Sequence, residues 1–149
     1  MDVLYLFHSY RDDVYRLALN YTHSVQEAED VCQTVFLKLL EANGNITPGK
    51  ERSWLMQVTA NTCRDVLRSA WWRRTVPLET AGEVPQTQMK ETLYLLRKLP
   101  PSYRVVLYLH YYEQYTTQEI AALLKIPRGT VSTRLRRGRE RLKTMLKEG

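Results

Sequence analysis

No run of apolar side chains approaches the ~18 residues that a membrane-spanning helix needs, so no membrane insertion is expected. Met1 is followed by Asp2 rather than by a basic segment and a hydrophobic core, which argues against a secretory signal and for a cytoplasmic location. Cysteine is scarce: Cys32 and Cys63 stand far apart without a C-x-x-C spacing, and neither a disulfide framework nor a zinc site is expected. Each reads as a small buried apolar residue. The three histidines, His8, His23 and His110, share no motif with carboxylates, so no metal, no cofactor and no catalytic centre acting on nucleic acid is expected. Strand signals are also poor. The β-branched residues are scattered through stretches that keep a helical period, and no internal repeat is evident. The expected class is all-α.

What the sequence does have is 149 residues, 44% of them hydrophobic and 26% charged, enough for one or two small domains with real cores. The formal net charge of +6 allows a polyanionic partner, and its distribution is more informative than its sum. Residues 1–50 are net acidic, 51–74 net basic and 75–127 balanced, while 128–149 carry eight cations against Glu140 and Glu148. Between the halves, 75–90 includes Pro77, Gly82 and Pro85 and lacks apolar periodicity, so it reads as a flexible linker. Two helical modules are expected, at 1–74 and 91–149.

In the first module, Leu4, Phe7, Tyr10, Val14, Leu17, Ala18 and Tyr21 form one stripe, predicting a helix over 2–21. Ser24-Val25-Gln26-Glu27 fits a capping box, and the helix it opens buries Ala28, Val31, Val35 and Leu39 before Asn43-Gly44-Asn45. Its other faces are acidic and polar. A third helix, about 53–71, places Leu55, Val58, Thr62 and Val66 on one face. Beside them Trp54, Gln57, Asn61, Arg64, Arg68 and Trp71 align aromatic rings, amides and guanidiniums. Such a stripe suits single-stranded nucleic acid, because rings and guanidiniums stack on unpaired bases and cations track phosphates. Two readings fit Trp54 and Trp71, a role in that stripe and closure of the core.

In the second module, Pro100-Pro101 should start a helix, because proline is tolerated in the first turn. Thr116-Thr117-Gln118-Glu119 is another capping box, followed by Ile120, Ala121, Leu123 and Leu124. Pro127 stops that helix by removing an amide and disfavouring helical geometry at Ile126. A long basic helix then runs from about Arg128 to Met145, with Val131, Leu135 and Leu142 inward. Short helix, tight turn and long basic helix make a helix-turn-helix, with small Ala121 expected at the crossing. Its outward residues Arg128, Thr130, Ser132, Thr133, Arg136 and Arg137 suit base edges and phosphates of a major groove. The same hairpin could instead dock an acidic protein.

These segments resemble the sigma-70 family of RNA polymerase sigma factors, in particular the extracytoplasmic-function (ECF) group that keeps only regions 2 and 4. Ala28-Glu29-Asp30-Val31-Cys32-Gln33-Thr34-Val35-Phe36 resembles the A-E-D-x-x-Q-x-x-F segment, which implies docking of Asp30, Gln33 and Phe36 on the polymerase clamp helices. Thr34 stands where many members have Glu. Arg52-Ser53-Trp54-Leu55 through Asn61, then Asp65-Val66-Leu67-Arg68, resembles the reader of the −10 element, which opens DNA and captures unpaired bases. The resemblance makes Lys50 to Trp54 the base-capturing loop and Asn61 a duplex-edge contact. With the stripe, the single-strand candidates are Lys50, Arg52, Trp54, Gln57, Asn61, Arg64 and Arg68. Leu99-Pro100 to Arg104, Thr116 to Leu124 and Ile126-Pro127-Arg128-Gly129-Thr130-Val131 to Leu135 resemble region 4, implying −35 recognition and contact with the polymerase flap. Lys125 departs from the usual glycine of the turn. The resemblance thus implies a non-enzymatic promoter-specificity subunit, partnered by core RNA polymerase and promoter DNA and often silenced by an anti-sigma factor. The alternative is a stand-alone helix-turn-helix regulator, which would leave the stripe of the third helix without a task.

Overall fold

The computed structural model describes residues 2–42, 45–72 and 95–148, with side-chain surroundings for all of these except 69–72 and 148. The elements among the described residues are all helical, with no strand among them, and the chain divides into two compact units, Met1–Val84 and Pro85–Gly149. The expected linker at 75–90 lies outside the described residues, as do Arg73 and Arg74.

The first unit is a three-helix bundle of α1 (Val3–Thr22), α2 (Val25–Ala42) and α3 (Glu51–Trp72), each packed on the other two. Asp2 caps α1 by accepting from the Tyr5 amide at 3.2 Å. At the other end His23 turns left-handed, φ 51°, and its amide returns to the Leu19 carbonyl at 2.8 Å. Only half of the expected box at Ser24 forms as drawn. Ser24 Oγ accepts from the Glu27 amide at 3.2 Å, but the Ser24 amide donates to Thr22 Oγ1 at 3.3 Å. The tight α1–α2 corner puts that hydroxyl within reach of the amide the glutamate was expected to hold.

The bundle core is Val14, Leu17, Ala18 and Tyr21 of α1, Ala28, Val31, Val35 and Leu39 of α2, and Leu55, Met56, Ala60 and Cys63 of α3. Each large apolar side chain buried in this way stabilises the fold by roughly 1.5–3 kcal/mol. Two expectations shift. Leu4 is 62% exposed and Leu6 is buried in its place. On α3, Leu55 and Thr62 are buried as expected, but Thr59 joins them while Val58 and Val66 are only half-buried. Both threonine hydroxyls are satisfied within the helix, on the Leu55 carbonyl at 2.6 Å and the Val58 carbonyl at 2.8 Å, so they enter the core without an unmade bond.

The second unit begins with a 3₁₀ turn, Leu96–Lys98, and α4 (Pro101–Leu107), which opens on proline as expected and runs on into a π turn, Tyr108–Tyr112. Next come α5 (Thr117–Leu124) and α6 (Arg128–Glu148). The Thr116 capping box is complete: Thr116 Oγ1 accepts from the Glu119 amide at 3.1 Å and the glutamate accepts from the Thr116 amide at 3.0 Å. Lys125 occupies the left-handed position between the helices, φ 57° and ψ 45°. α6 packs on both α4 and α5 through Val131, Leu135 and Gly138. Ala121, expected at the α5–α6 crossing, is half-buried, and at the separate α4–α6 crossing the missing Cβ of Gly138 admits Leu107 and Tyr103.

Candidate nucleic-acid interface

On α6 the 3.6-residue period divides the six expected DNA-binding residues among neighbouring strips of one surface. Arg128, Ser132, Arg136 and Arg137 are exposed, and Thr130 and Thr133 half-buried. Arg128 Nε donates to Thr117 Oγ1 at 3.3 Å, tying the first turn of α6 to the first turn of α5 along one flank. Further along, Arg139 donates to the Tyr111 hydroxyl at 2.9 Å, and the Arg141 guanidinium lies 4.9 Å from the centre of the Tyr103 ring. Beneath this surface Arg104 is buried, with Nη1 donating to the Leu99 carbonyl at 2.8 Å. Burial pulls its guanidinium down to about 10, so it stays charged at neutral pH.

Sequence reasoning missed a groove of about 600 Å³ on the other flank of α6, where Ser102 and Tyr103 of α4 face Thr130, Thr133, Arg134 and Arg137. An apolar cavity of about 360 Å³ in the same unit is lined by Leu96, Leu107, Tyr108 and Leu142.

In the first unit the α3 stripe lies on the side of that helix away from its core face. Gln57 and Arg68 are exposed, and Trp54, Asn61 and Arg64 half-buried. Trp54 is thus neither sealed in the core nor fully outside it, while Trp71 lies outside the described side chains. Arg64 Nη2 donates to Asn61 Oδ1, so two stripe residues are already coupled. Arg52 is engaged elsewhere: its Nε pairs with Asp13 of α1 at 3.4 Å, and Asp13 also pairs with Arg16. The segment Lys50 to Trp54, expected as a loop, is one only at Lys50. Gly49, φ 84°, turns the chain, the Trp54 amide bonds the Lys50 carbonyl at 2.9 Å, and Glu51 to Trp54 are the first turn of α3.

On α2, Asp30 and Gln33 are exposed, whereas Phe36 is half-buried with its ring centre 4.6 Å from that of Phe7. Leu37 and Leu40, 57% and 46% exposed, continue this outer face and were not singled out from the sequence. The signal was present: both are large apolar residues off the stripe formed by Ala28, Val31, Val35 and Leu39. Cys32 and Cys63 are buried free thiols. Burial pushes Cys32 up to about 11 and raises Cys63 as well, so neither is a reactive thiolate at neutral pH. Among the described residues no group of acidic, histidine or cysteine side chains could hold a metal ion, and no helix is long and apolar enough to cross a membrane.

The chain therefore pairs a bundle carrying an aromatic, amide and cation stripe with a separate helix-turn-helix whose long helix displays its cations outward. Comparison with known proteins gives that pairing a family. The family model for Sigma-70 region 2 matches residues 6–73, and that for Sigma-70, region 4 matches 89–142. The sequence is 32% identical over 131 residues to the RNA polymerase sigma factor CarQ of Myxococcus xanthus, covering 81% of this chain and 75% of that protein. It is 31% identical over 154 residues to the ECF RNA polymerase sigma factor SigE of Mycolicibacterium smegmatis, covering 95% of this chain and spanning 60% of that protein's length. In fold it matches the sigma factor RpoE of Bartonella quintana, solved in complex with the anti-sigma factor NepR, with a TM-score of 0.78 and 19% identity over 95% of this chain and 94% of that one. The chain belongs to the sigma-70 family, and within it to the ECF sigma factors. The match over 6–73 accounts for the half of the molecule that a stand-alone helix-turn-helix regulator leaves without a task.

Proposed function

We propose that this sigma factor docks on the clamp helices of core RNA polymerase through the outer face of α2, with Asp30, Gln33 and Phe36 at its centre. Residues 1–74 act as region 2: the α3 stripe of Trp54, Gln57, Asn61, Arg64 and Arg68, with Lys50 and Arg52 at its start, holds the unpaired non-template strand of the −10 element. Base unstacking costs a few kcal/mol, which the captured bases and polymerase contacts offset. Residues 91–149 act as region 4, joined to region 2 by a linker at 75–90. There Arg128, Thr130, Ser132, Thr133, Arg136 and Arg137 face the −35 duplex, and the module also meets the polymerase flap. The protein works in the cytoplasm by binding, without catalysis of its own. An anti-sigma factor is its regulatory partner, a reading supported by the RpoE chain of similar fold, which was solved with one.

The observation that carries this reading is the outward display of Arg128, Arg136 and Arg137 on a helix whose inner residues Val131, Leu135 and Gly138 are buried in the core of its own unit. Run-off transcription with purified core polymerase on a promoter library tests it. Specific transcripts are expected only when the chain is added, and initiation no better with it than without it rejects the proposal.

A further inference from the structure

The α4–α6 groove has chemistry of its own. A recognition helix about 10–12 Å across fills a major groove about 12 Å wide, so a phosphodiester strand runs along each flank of the helix. One flank of α6 is closed by α5, where Thr117 accepts from Arg128 at 3.3 Å. The other opens into the groove of about 600 Å³, whose lining offers two guanidiniums, Arg134 and Arg137, and the hydroxyls of Ser102, Tyr103, Thr130 and Thr133, with no carboxylate. Its far wall is held in place, because the Tyr103 ring is stacked under the Arg141 guanidinium at 4.9 Å.

We infer that this groove seats the sugar-phosphate backbone of one promoter strand, with Arg134 and Ser102 as its phosphate contacts and the Tyr103 ring as its wall. The inference rests on the reading of α6 as the duplex-facing helix and adds residues from α4 to it. Arg137 and Thr133 line the groove and also border the outward face, so the strand seated here is continuous with the base pairs that α6 reads. Arg134 and Ser102 then supply affinity and register but no base preference, because phosphates carry no sequence information directly.

The test uses the full chain with core polymerase and matched and scrambled −35 duplexes, over a salt series. Arg134→Ala should weaken binding to every duplex by a common factor of about ten and lower the slope of log K against log salt by about 0.9, the loss of one phosphate contact. Arg134→Lys should keep the slope. Ser102→Ala should weaken all duplexes a few-fold without changing it. A methylphosphonate scan should then find one phosphate whose neutralisation weakens the parent protein but not Arg134→Ala. Unchanged affinity and slope in both alanine variants, while Arg136→Ala or Arg137→Ala still alters promoter choice, overturns the groove assignment and leaves the α6 reading intact. If none of the four variants matters, the α6 reading fails too. Competition by free nucleoside triphosphate that abolishes the Arg134 effect would make the groove a nucleotide site and also overturn the inference.

Discussion

Gly138 and Leu107 meet where α6 crosses α4: a Cβ on Gly138 would stand 3.0 Å from Leu107 Cδ1 and 3.3 Å from Tyr103 Cβ. Two effects oppose each other at this position. Alanine is favoured over glycine by about 1 kcal/mol inside a helix, while overpacking a closed interface costs about 1–3 kcal/mol. Leu107 is buried and Tyr103 Cβ is held by its backbone, so the steric term should win. Gly138→Ala is expected to lower the melting temperature slightly and Gly138→Val to destabilise by about 2–3 kcal/mol. A rise in melting temperature for Gly138→Ala would show that Leu107 can yield.

Arg104 is 4% exposed and bonds the Leu99 carbonyl at 2.8 Å. Arg104→Met keeps an unbranched stem but leaves that carbonyl without its guanidinium donor, a loss of about 1–3 kcal/mol. Urea unfolding should show a lower midpoint. Arg104→Lys should restore only part of it, since an ammonium lacks the planar fork of donors. An unchanged midpoint in Arg104→Met would mean that the desolvation of the charge cancels everything its bonds contribute.

Lys125 sits at φ 57°, ψ 45°, a left-handed position that costs a residue with a Cβ roughly 1 kcal/mol. Glycine removes that strain but raises the entropy of the unfolded chain, so Lys125→Gly should stabilise by less than about 1 kcal/mol. Lys125→Val, branched at Cβ, should destabilise by more than glycine stabilises. Thermal melts of both variants check the order. Promoter choice should be unaffected, because the position shapes the turn rather than the outward face of α6.

These contrasts show which features a sequence carries openly. α5 and α6 were legible because their signals are local: Thr116 and Glu119 cap each other three residues apart, and Pro127 stops one helix just before the next. The pairing of Arg52 with Asp13 was not, because the partners are 39 residues apart and meet only once α3 has packed on α1. The α3 core face was misplaced for a related reason. Thr59 counts as polar in a hydrophobic pattern, yet its hydroxyl bonds its own helix and it packs as a small residue. The groove beside α6 was invisible as well, since its walls come from Ser102 and Tyr103 on one element and Arg134 on another. Of the candidate site, the outward face of α6 was legible from spacing and Asp30 and Gln33 only through the family resemblance, while Leu37 and Leu40 stand out only once the bundle leaves them outside.

The Thr116 box predicts a pH response. Its backbone amide bond, then its side-chain bond, hold the Glu119 carboxyl below the ordinary 4.5. A carboxylate depressed on folding adds stability that is complete above the unfolded value and is lost as pH falls through the folded one. Melting temperature should therefore decline as pH falls below about 4.5 in the parent protein, and the decline should be shallower in Glu119→Gln, which keeps an acceptor without the charge. Identical profiles for the two proteins would show that the box contributes no measurable linkage.

The outer face of α2 yields the sharpest functional prediction, because its residues are spared from the core. Asp30 and Gln33 are exposed, and Leu37 and Leu40 remain 57% and 46% exposed, so truncating any of them should leave the melting temperature nearly unchanged. If this face seats the polymerase clamp, removing a central contact should cost about 1–2 kcal/mol of association, roughly five- to thirty-fold in affinity. Asp30→Ala, Gln33→Ala and Leu40→Ser should each weaken core binding in a fluorescence titration while the helical circular dichroism signal stays constant. Phe36→Ala differs, since its ring also rests on Phe7 at 4.6 Å, and it should lower affinity and stability together. Full affinity in both Asp30→Ala and Gln33→Ala would reject this surface and send the search to another face of the bundle.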